Sequence, residues 1–382
     1  MLFRQEECSV RQTAIALIVS ILMAFYSAFP DMPLFDCFRK FFPPENCVQV
    51  YQLAPNPDCL TECYVIKTAN NKIIVIDGGI DGSGKESETY LPSAIRAILG
   101  LKKNDYFEVE AWLVSHAHSD HFYELAKMLR EYTEKSNYKI NNFYFDFPDI
   151  GVEWSSISED DAELECMQVL YEGFDNYFRV NNVIDGSVTD PMAAYNSLNG
   201  KTITTESVNN GLTVTVDSVN IDVLLDWSPE DLIVNSTSVV FRLRYNEHSI
   251  LFLGDSYTDT EKRLLEKYNP SELESEYVQL AHHGQNGTSR EFYDAINAKN
   301  SIRLWASPQW LWNSGEDSPY QIAEVRTWMG LPADPEVYIS EGCDCSGRDY
   351  VVGLYQYFPR KPSETSSWNT AVLDSQRVAV FH

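Results

Sequence analysis

No stretch of this 382-residue chain gathers lysine and arginine into a run, and the two together number 29 against 56 aspartates and glutamates. The formal net charge of -27 repels polyanions. Proteins that track along DNA or RNA neutralise phosphates with a basic stripe. Extended nucleic-acid binding is therefore not expected, whereas cleavage of a single phosphodiester is left open. The chain also lacks an internal repeat of fixed period and any low-complexity tract, which removes solenoids and biased linkers. Neither is it short of core material: hydrophobic residues are 44% and charged residues 22%, the profile of a folded soluble protein. The length suits one large domain or two ordinary ones.

Long uncharged stretches are rare as well, and one stands near the start. Residues 13–29 (TAIALIVSILMAFYSAF) lie between Arg4 and Arg11 on one side and Pro30 and Asp31 on the other. Spanning helices need about 17–25 residues and signal h-regions about 7–15, so this segment is at the short end of the first and beyond the second. Tyr26-Ser27-Ala28 puts a bulky ring where signal cleavage wants a small side chain. The expectation is a membrane anchor within residues 1–30, with a cleaved signal as the alternative and a buried helix as a third reading. Either export reading puts the folded part outside the cytoplasm, membrane-anchored or secreted.

Eight cysteines are present, and Cys8 precedes the apolar segment, leaving an odd number beyond it. Cys37 with Cys47, or Cys59 with Cys63, are candidate bridges in an oxidising space. Cys343-Asp344-Cys345 is too sparse for a zinc knuckle without a second pair.

Residues 31–47 read as a linker and 48–382 as the folded domain, with an acidic, irregular insertion near 151–210. Strands are expected at 48–53, 63–67 and 72–76 (KIIVI), the last ending in Asp77-Gly78-Gly79. Pro92 first and Gly100 last mark a short helix over 92–99. A strand at 108–114 is followed by a helix at 122–132, whose apolar positions Phe122, Leu125, Met128, Leu129 and Tyr132 share one face. Further strands are expected at 142–147, 212–225, 238–244, 249–253 (SILFL) and 277–281. Thr258-Asp259-Thr260-Glu261 reads as a capping box opening a helix to 268, and Thr288 with Glu291 as the cap of another. The alternation is that of an α/β protein. Its suspicious polar residues stand at the carboxyl ends of strands, where open α/β sheets place their chemistry.

Histidine is scarce too, seven in all, yet three fall within six residues: His116-Ala117-His118-Ser119-Asp120-His121. In an extended loop His116 and His118 point the same way and can clamp one ion. Asp120 and His121, at the turn into the helix, aim at a second position. Imidazole and carboxylate are the ligands of hydrolytic zinc sites. Two ions about 3.5–4 Å apart polarise a scissile carbonyl or phosphoryl group and activate water.

This segment resembles the signature motif of the metallo-β-lactamase superfamily, and the remaining motifs follow in family order between about residues 48 and 310. The resemblance implies a four-layer αββα sandwich and a hydrolase holding one or two zinc ions, or a harder ion such as manganese. It implies that Asp77 supports the metal loop without ligating, that Asp255 bridges two ions, and that His283 is the last ligand of the second, His282 being the weaker choice. His116, His118, Asp120, His121, Asp255 and His283 are thus the implied metal ligands, with Asp120 also the catalytic group that orients the nucleophile and carries a proton.

One departure matters. The family's third histidine for the first ion is missing. His248 sits at the wrong end of its hairpin, and Asn235 stands in the expected region as a weaker oxygen ligand. An Asn and a Ser before the strand, Gly-Asp after it and His-His-Gly on the next resemble the branch related to the hydrolase domain of the bacterial DNA-uptake channel, which points to phosphodiester or ester bonds rather than antibiotics. The implied partner is a small-molecule or cell-wall substrate. Tyr257, Gln285 and Asn286 follow probable ligands in the chain and are candidates for substrate contact. Trp112, Trp310 and Trp312 read as packing. The rival function is a surface-anchored, non-catalytic binding module with a degenerate metal site.

Overall fold

The computed structural model describes residues 48–53, 60–80, 90–147, 161–184, 187, 203, 205–209, 211–228, 231, 233–305, 321–329, 353–355 and 377–381. The expected N-terminal segment and linker, five of the cysteines beyond it (Cys37, Cys47, Cys59, Cys343, Cys345), Trp310 and Trp312 lie outside the described residues. Among the described residues no helix is long and apolar enough to cross a membrane.

The strands are β1 (Val48–Gln52), β2 (Cys63–Lys67), β3 (Ile73–Asp77), β4 (Phe107–Leu113), β5 (Tyr138–Ile140), β6 (Phe143–Tyr144), β7 (Thr213–Val216), β8 (Val219–Leu225), β9 (Val240–Tyr245), β10 (His248–Phe252), β11 (Tyr277–Gln279), β12 (Ile302–Leu304), β13 (Gly353–Tyr355) and β14 (Arg377–Phe381). They form an eight-stranded sheet in the order β13-β14-β1-β2-β3-β4-β5, with β6 also on β4, and a six-stranded sheet in the order β12-β11-β10-β9-β8-β7. The principal helices are α1 (Leu91–Leu99), α2 (Ser119–Arg130), α3 (Asp161–Val180), α4 (Thr258–Lys267), α5 (Arg290–Ala295) and α6 (Ile322–Met329).

The layering follows from side-chain alternation. Along β3, Ile73 and Val75 enter a core shared with α1, α2 and α3, while Ile74 and Ile76 enter a second core between the two sheets. Along β10, Ile250 and Phe252 enter that inter-sheet core, while Leu251 joins a third core with Leu264, Phe292 and Ile322 of α4, α5 and α6. Strands apolar on both faces must be covered on both. Three cores therefore make four layers: the metallo-β-lactamase αββα fold. The β3–β4 and β10–β11 pairs are parallel, so the residues after them emerge on one rim in each sheet.

Several expected elements are displaced. Helix α2 begins at Ser119, three residues before its apolar pattern, because the polar first turn carries Asp120 where a helix N-terminus favours an anion. The strand expected at 142–147 is reduced to β6, with β5 just before it. The middle of the chain is a helical excursion in part: α3 crosses α2, and Gly173 makes the close approach feasible, since a Cβ there would stand 2.9 Å from Leu129 Cβ. The capping box at 258–261 does not form. Tyr257 is the N-cap of α4 without a side-chain bond, while Asp259 accepts from Ser236 Oγ at 2.8 Å and Glu261 from Ser289 N. Ser289, not Thr288, caps α5 by accepting from Phe292 N at 3.1 Å. Cys63 is buried as a free thiol, and its candidate partner Cys59 lies outside the described residues.

Candidate metal centre

Four chain segments meet at the shared rim. After β3, Asp77 takes a left-handed φ of 61° and turns its carboxylate under the loop that follows β4. Its Oδ1 accepts from Ser115 N at 2.7 Å, and its Oδ2 accepts from Ser115 Oγ at 3.0 Å and from His121 Nδ1 at 2.9 Å. The amides of Gly78 and Gly79 both donate to His121 O, tying the turn to α2. His118 is the N-cap of α2, and Asp120 and His121 lie in its first turn. In the other sheet Gly254, at φ 56°, leaves room that a Cβ would take from Ser115 Cβ at 3.1 Å. Asp255 N then donates to Ser238 Oγ at 3.0 Å. Val239 N donates to Ser115 O at 2.8 Å, clasping the two sheets beside the site.

The six side chains read as ligands come together in two groups, His116 with His118 and Asp255, and Asp120 with His121 and His283. His116 Nε2 lies 3.0 Å from His118 Nδ1 and 3.8 Å from Asp255 Oδ2. In the second group His283 Nε2 is 3.0 Å from Asp120 Oδ2 and 3.3 Å from His121 Nε2. Asp255 faces both groups, its Oδ1 being 3.2 Å from His121 Nε2 and its Oδ2 3.4 Å from His283 Nε2.

Hydrogen bonding decides which ring nitrogens remain available. Asp77 can only accept, so His121 Nδ1 carries a proton. With the Ser115 hydroxyl proton given to Asp77, Ser115 Oγ accepts from His116 Nδ1 at 3.1 Å. Both Nε2 lone pairs are thereby left facing Asp255 and the neighbouring rings. Glu62, which the sequence reading did not single out, extends the same logic. Its N–H donates to Asp120 O at 3.1 Å, and its carboxylate, 1% exposed, lies 3.5 Å from His283 Nδ1.

Lone pairs and carboxylates crowded together out of water need positive charge between them. Asp77, Glu62 and Asp255 are all at most 2% exposed, and among the described residues none of them meets a lysine or arginine. Protons alone would have to serve. Burial lowers the affinity of His283 for a proton, yet Asp255 and Asp120 overcome it and push its pKa up to about 10. His121 is likewise raised well above its ordinary value, with Asp255 and then Asp77 outweighing burial. Asp255 and Asp120 are held below the usual carboxylate range, burial being overcome chiefly by His121 and His283 in the first case and by His283 in the second. Burial drives His116 well below its ordinary value, and lifts Glu62 to about 7 against the pull of His283. A divalent ion in each group satisfies these groups without added protons, and the donor set of imidazoles and carboxylates suits zinc or a somewhat harder ion.

The other candidates fall around this centre. Asn235 lies beside it, its Nδ2 3.4 Å from His282 Nε2 and its Oδ1 buried without a hydrogen bond. Tyr257 OH is 3.2 Å from His282 Nδ1, and Asn286 offers its backbone oxygen to the same nitrogen at 3.3 Å. Gln285 is buried, with Nε2 unpaired. His248 pairs with Glu276 at 2.6 Å on β10 and takes no part. Trp112 is fully buried and donates to Asp77 O at 3.0 Å, so it is packing. A second residue missed from the sequence is Glu163 of α3, whose carboxylate accepts from Ser119 N at 2.8 Å and Ser119 Oγ at 2.9 Å, capping the helix that carries Asp120 and His121.

Residues 56–180 match the family model described as Metallo-beta-lactamase superfamily, whose members are generally metal-dependent hydrolases. The match takes in the β2–β3 turn, the histidine-rich loop, α2 and α3, and supports the superfamily. Solved structures similar to the chain include the metallo-beta-lactamase fold protein YhfI from Bacillus subtilis, at 14% identity and TM-score 0.30 over 61% of this chain and 71% of that one. Another is CmlA, a diiron beta-hydroxylase from Streptomyces venezuelae, at 14% identity and TM-score 0.32, where 79% of this chain spans 48% of that one. A third is a putative Zn-dependent hydrolase of the superfamily from Thermotoga maritima, at 11% identity and TM-score 0.27 over 65% of this chain and 71% of that one. No curated protein matches the chain in sequence.

Proposed function

We propose that the protein is a metal-dependent hydrolase of phosphodiester or ester bonds in a small or cell-wall substrate, exported and held at the membrane by its N-terminal apolar segment. The observation that carries the reading is the convergence of His116, His118, Asp120, His121, Asp255 and His283, with the Asp77–Ser115 network engaging Nδ1 of His116 and of His121 so that their Nε2 atoms turn inward. When bound, divalent ions of the zinc or manganese type make water a nucleophile near neutral pH and polarise the scissile group.

The chain's own residues supply the rest. Asp120 is the carboxylate of the cluster that reaches solvent, its side chain 19% exposed, so it can orient water and return a proton to a leaving group. The Asp77–Ser115 network fixes the tautomers of His116 and His121. Tyr257 and Asn286, half-buried at the rim, are placed to meet the substrate, and the unpaired Gln285 amide is a donor for developing negative charge. The net charge of -27 favours small substrates over long polyanions. Phosphodiester chemistry is further supported by the Asn235–Ser236, Gly254–Asp255 and His282-His283-Gly284 pattern, which resembles the DNA-uptake channel branch.

A chromogenic screen of phosphodiester, ester, lactone and β-lactam substrates with added zinc or manganese tests the reading. Turnover of a phosphodiester or ester is expected, falling by about 10²–10⁴-fold in Asp120→Ala and abolished in His121→Ala, with the fold retained. Wild-type rates in His121→Ala would remove the mechanism.

A further inference from the structure

The first group has His116, His118 and Asp255 but no third imidazole from the region of the chain where the family resemblance looks for one. We infer that His282 supplies it, and that Asn235 steadies this ring rather than replacing it. The inference rests on the metal-centre reading above and assigns one more residue to it.

The backbone first makes the placement feasible. His282 and His283 both hold left-handed φ values, 52° and 55°, which non-glycine residues adopt at a cost and retain where the surroundings demand it. The result is that two consecutive side chains reach Asp255 together. Their ring planes diverge by 57°, so that they address different parts of the site. His283 Nε2 belongs to the second group, whereas His282 Nε2 stands 4.0 Å from Asp255 Oδ2. That oxygen is also 3.8 Å from His116 Nε2. Ligands at about 2.0–2.2 Å in a tetrahedral shell lie about 3.3–3.6 Å apart, so His282, which stands outside both groups in the metal-free protein, and His116 each close on that oxygen by a few tenths of an ångström around an ion.

Proton placement points the same way. His282 Nδ1 lies 3.3 Å from the backbone oxygen of Asn286, and a carbonyl only accepts. Nδ1 therefore carries the proton, with Tyr257 OH beside it at 3.2 Å, and Nε2 keeps its lone pair toward Asp255. A histidine whose outer nitrogen donates to a carbonyl while the inner one faces a carboxylate has the second-shell arrangement of a metal ligand. The Asn235 amide, 3.4 Å from the same Nε2, can only donate to it, so it holds that lone pair in the metal-free protein and swings aside as an ion takes it, its buried and unpartnered Oδ1 turning with it.

The full chain, stripped of metal and titrated with cobalt(II) by calorimetry and visible absorption, tests this. Wild type is expected to take two ions. His282→Ala should keep the ion held by Asp120, His121 and His283 at unchanged affinity and bind the other at least about tenfold more weakly, with its absorption bands altered. His282→Gln, closer in volume, repeats the measurement should the alanine variant fold poorly, and His248→Ala should titrate as wild type. Unchanged isotherms in both His282 variants would overturn the inference, as would Asn235→Ala alone removing the weaker ion. A wild-type chain that takes no ion at all would instead overturn the metal-centre reading, so the two failures are distinguishable.

Discussion

The two halves of the centre are braced by different kinds of residue. Around Asp120, His121 and His283, each residue has a dedicated support: Asp77 on His121, the Glu62 carboxylate on His283, and the Glu62 N–H on the Asp120 carbonyl. Around His116 and His118 the supports are a hydroxyl and a carboxylate from elsewhere: Ser115 Oγ faces His116 Nδ1, and Glu163 of α3 acts electrostatically on His118. Second-shell partners fix the ring and raise its basicity. The second half therefore leans on the buried carboxylates of Asp77 and Glu62, whereas the first adjoins the part of the site where Tyr257, Asn235 and His282 gather.

The sharpest way to break this contrast is Glu62→Gln. Removing the charge facing His283 should weaken the second ion by about 10–100-fold while leaving the first unchanged, measured by competitive chelator titration. Equal loss at both positions would mean that the halves are a single unit.

A smaller effect separates proton from metal. In metal-free protein His283 titrates at about 10 and Glu62 at about 7, above their ordinary values of 6.5 and 4.5. Groups whose folded pKa is raised contribute stability that is whole below the ordinary value and lost as pH climbs through the folded one. From about pH 7 to 10 the melting temperature of metal-free protein should fall, by roughly 5 °C or more. Asp120, Asp255, His116 and His282 are depressed, and change their contribution only at or below the ordinary histidine value of 6.5, under this window. Metal-loaded protein should be nearly flat across the same range, since a cation stands where the protons did. A metal-free melt that rises with pH would contradict the assignment.

The smallest expected change comes from Glu163→Ala, which strips the cap from α2. It should cost about 1 kcal/mol, or about 2 °C in melting temperature, with two ions still bound. Loss of an ion would show that α3 is part of the centre rather than a brace for it.

Much of this was legible in the sequence because the chemistry sits where apolar runs stop. SILFL ending in Gly254-Asp255 and KIIVI ending in Asp77 announce strand ends, and the histidine-rich segment announces itself. What the sequence concealed depends on partners distant in the chain. Glu62 is one carboxylate before a strand, and nothing local shows that it faces His283. Glu163 is one acid among several in an acidic stretch, and only the crossing of α3 over α2 brings it to Ser119. His282 looked redundant beside His283, since the paired left-handed backbone that points both rings inward carries no compositional mark. The caps of α4 and α5 were missed by one residue or more because hydroxyl and acidic residues abound there, and tertiary bonds from Ser236 and Ser289 claim two of the acids.

The clasp from Val239 N–H to the Ser115 carbonyl bears on how the chain matures. Four of the six converging side chains come from one sheet and two, Asp255 and His283, from the other. A half-assembled molecule thus owns only fragments of a coordination sphere. An ion that draws on both sheets would be a rivet that can be driven only after the halves have docked.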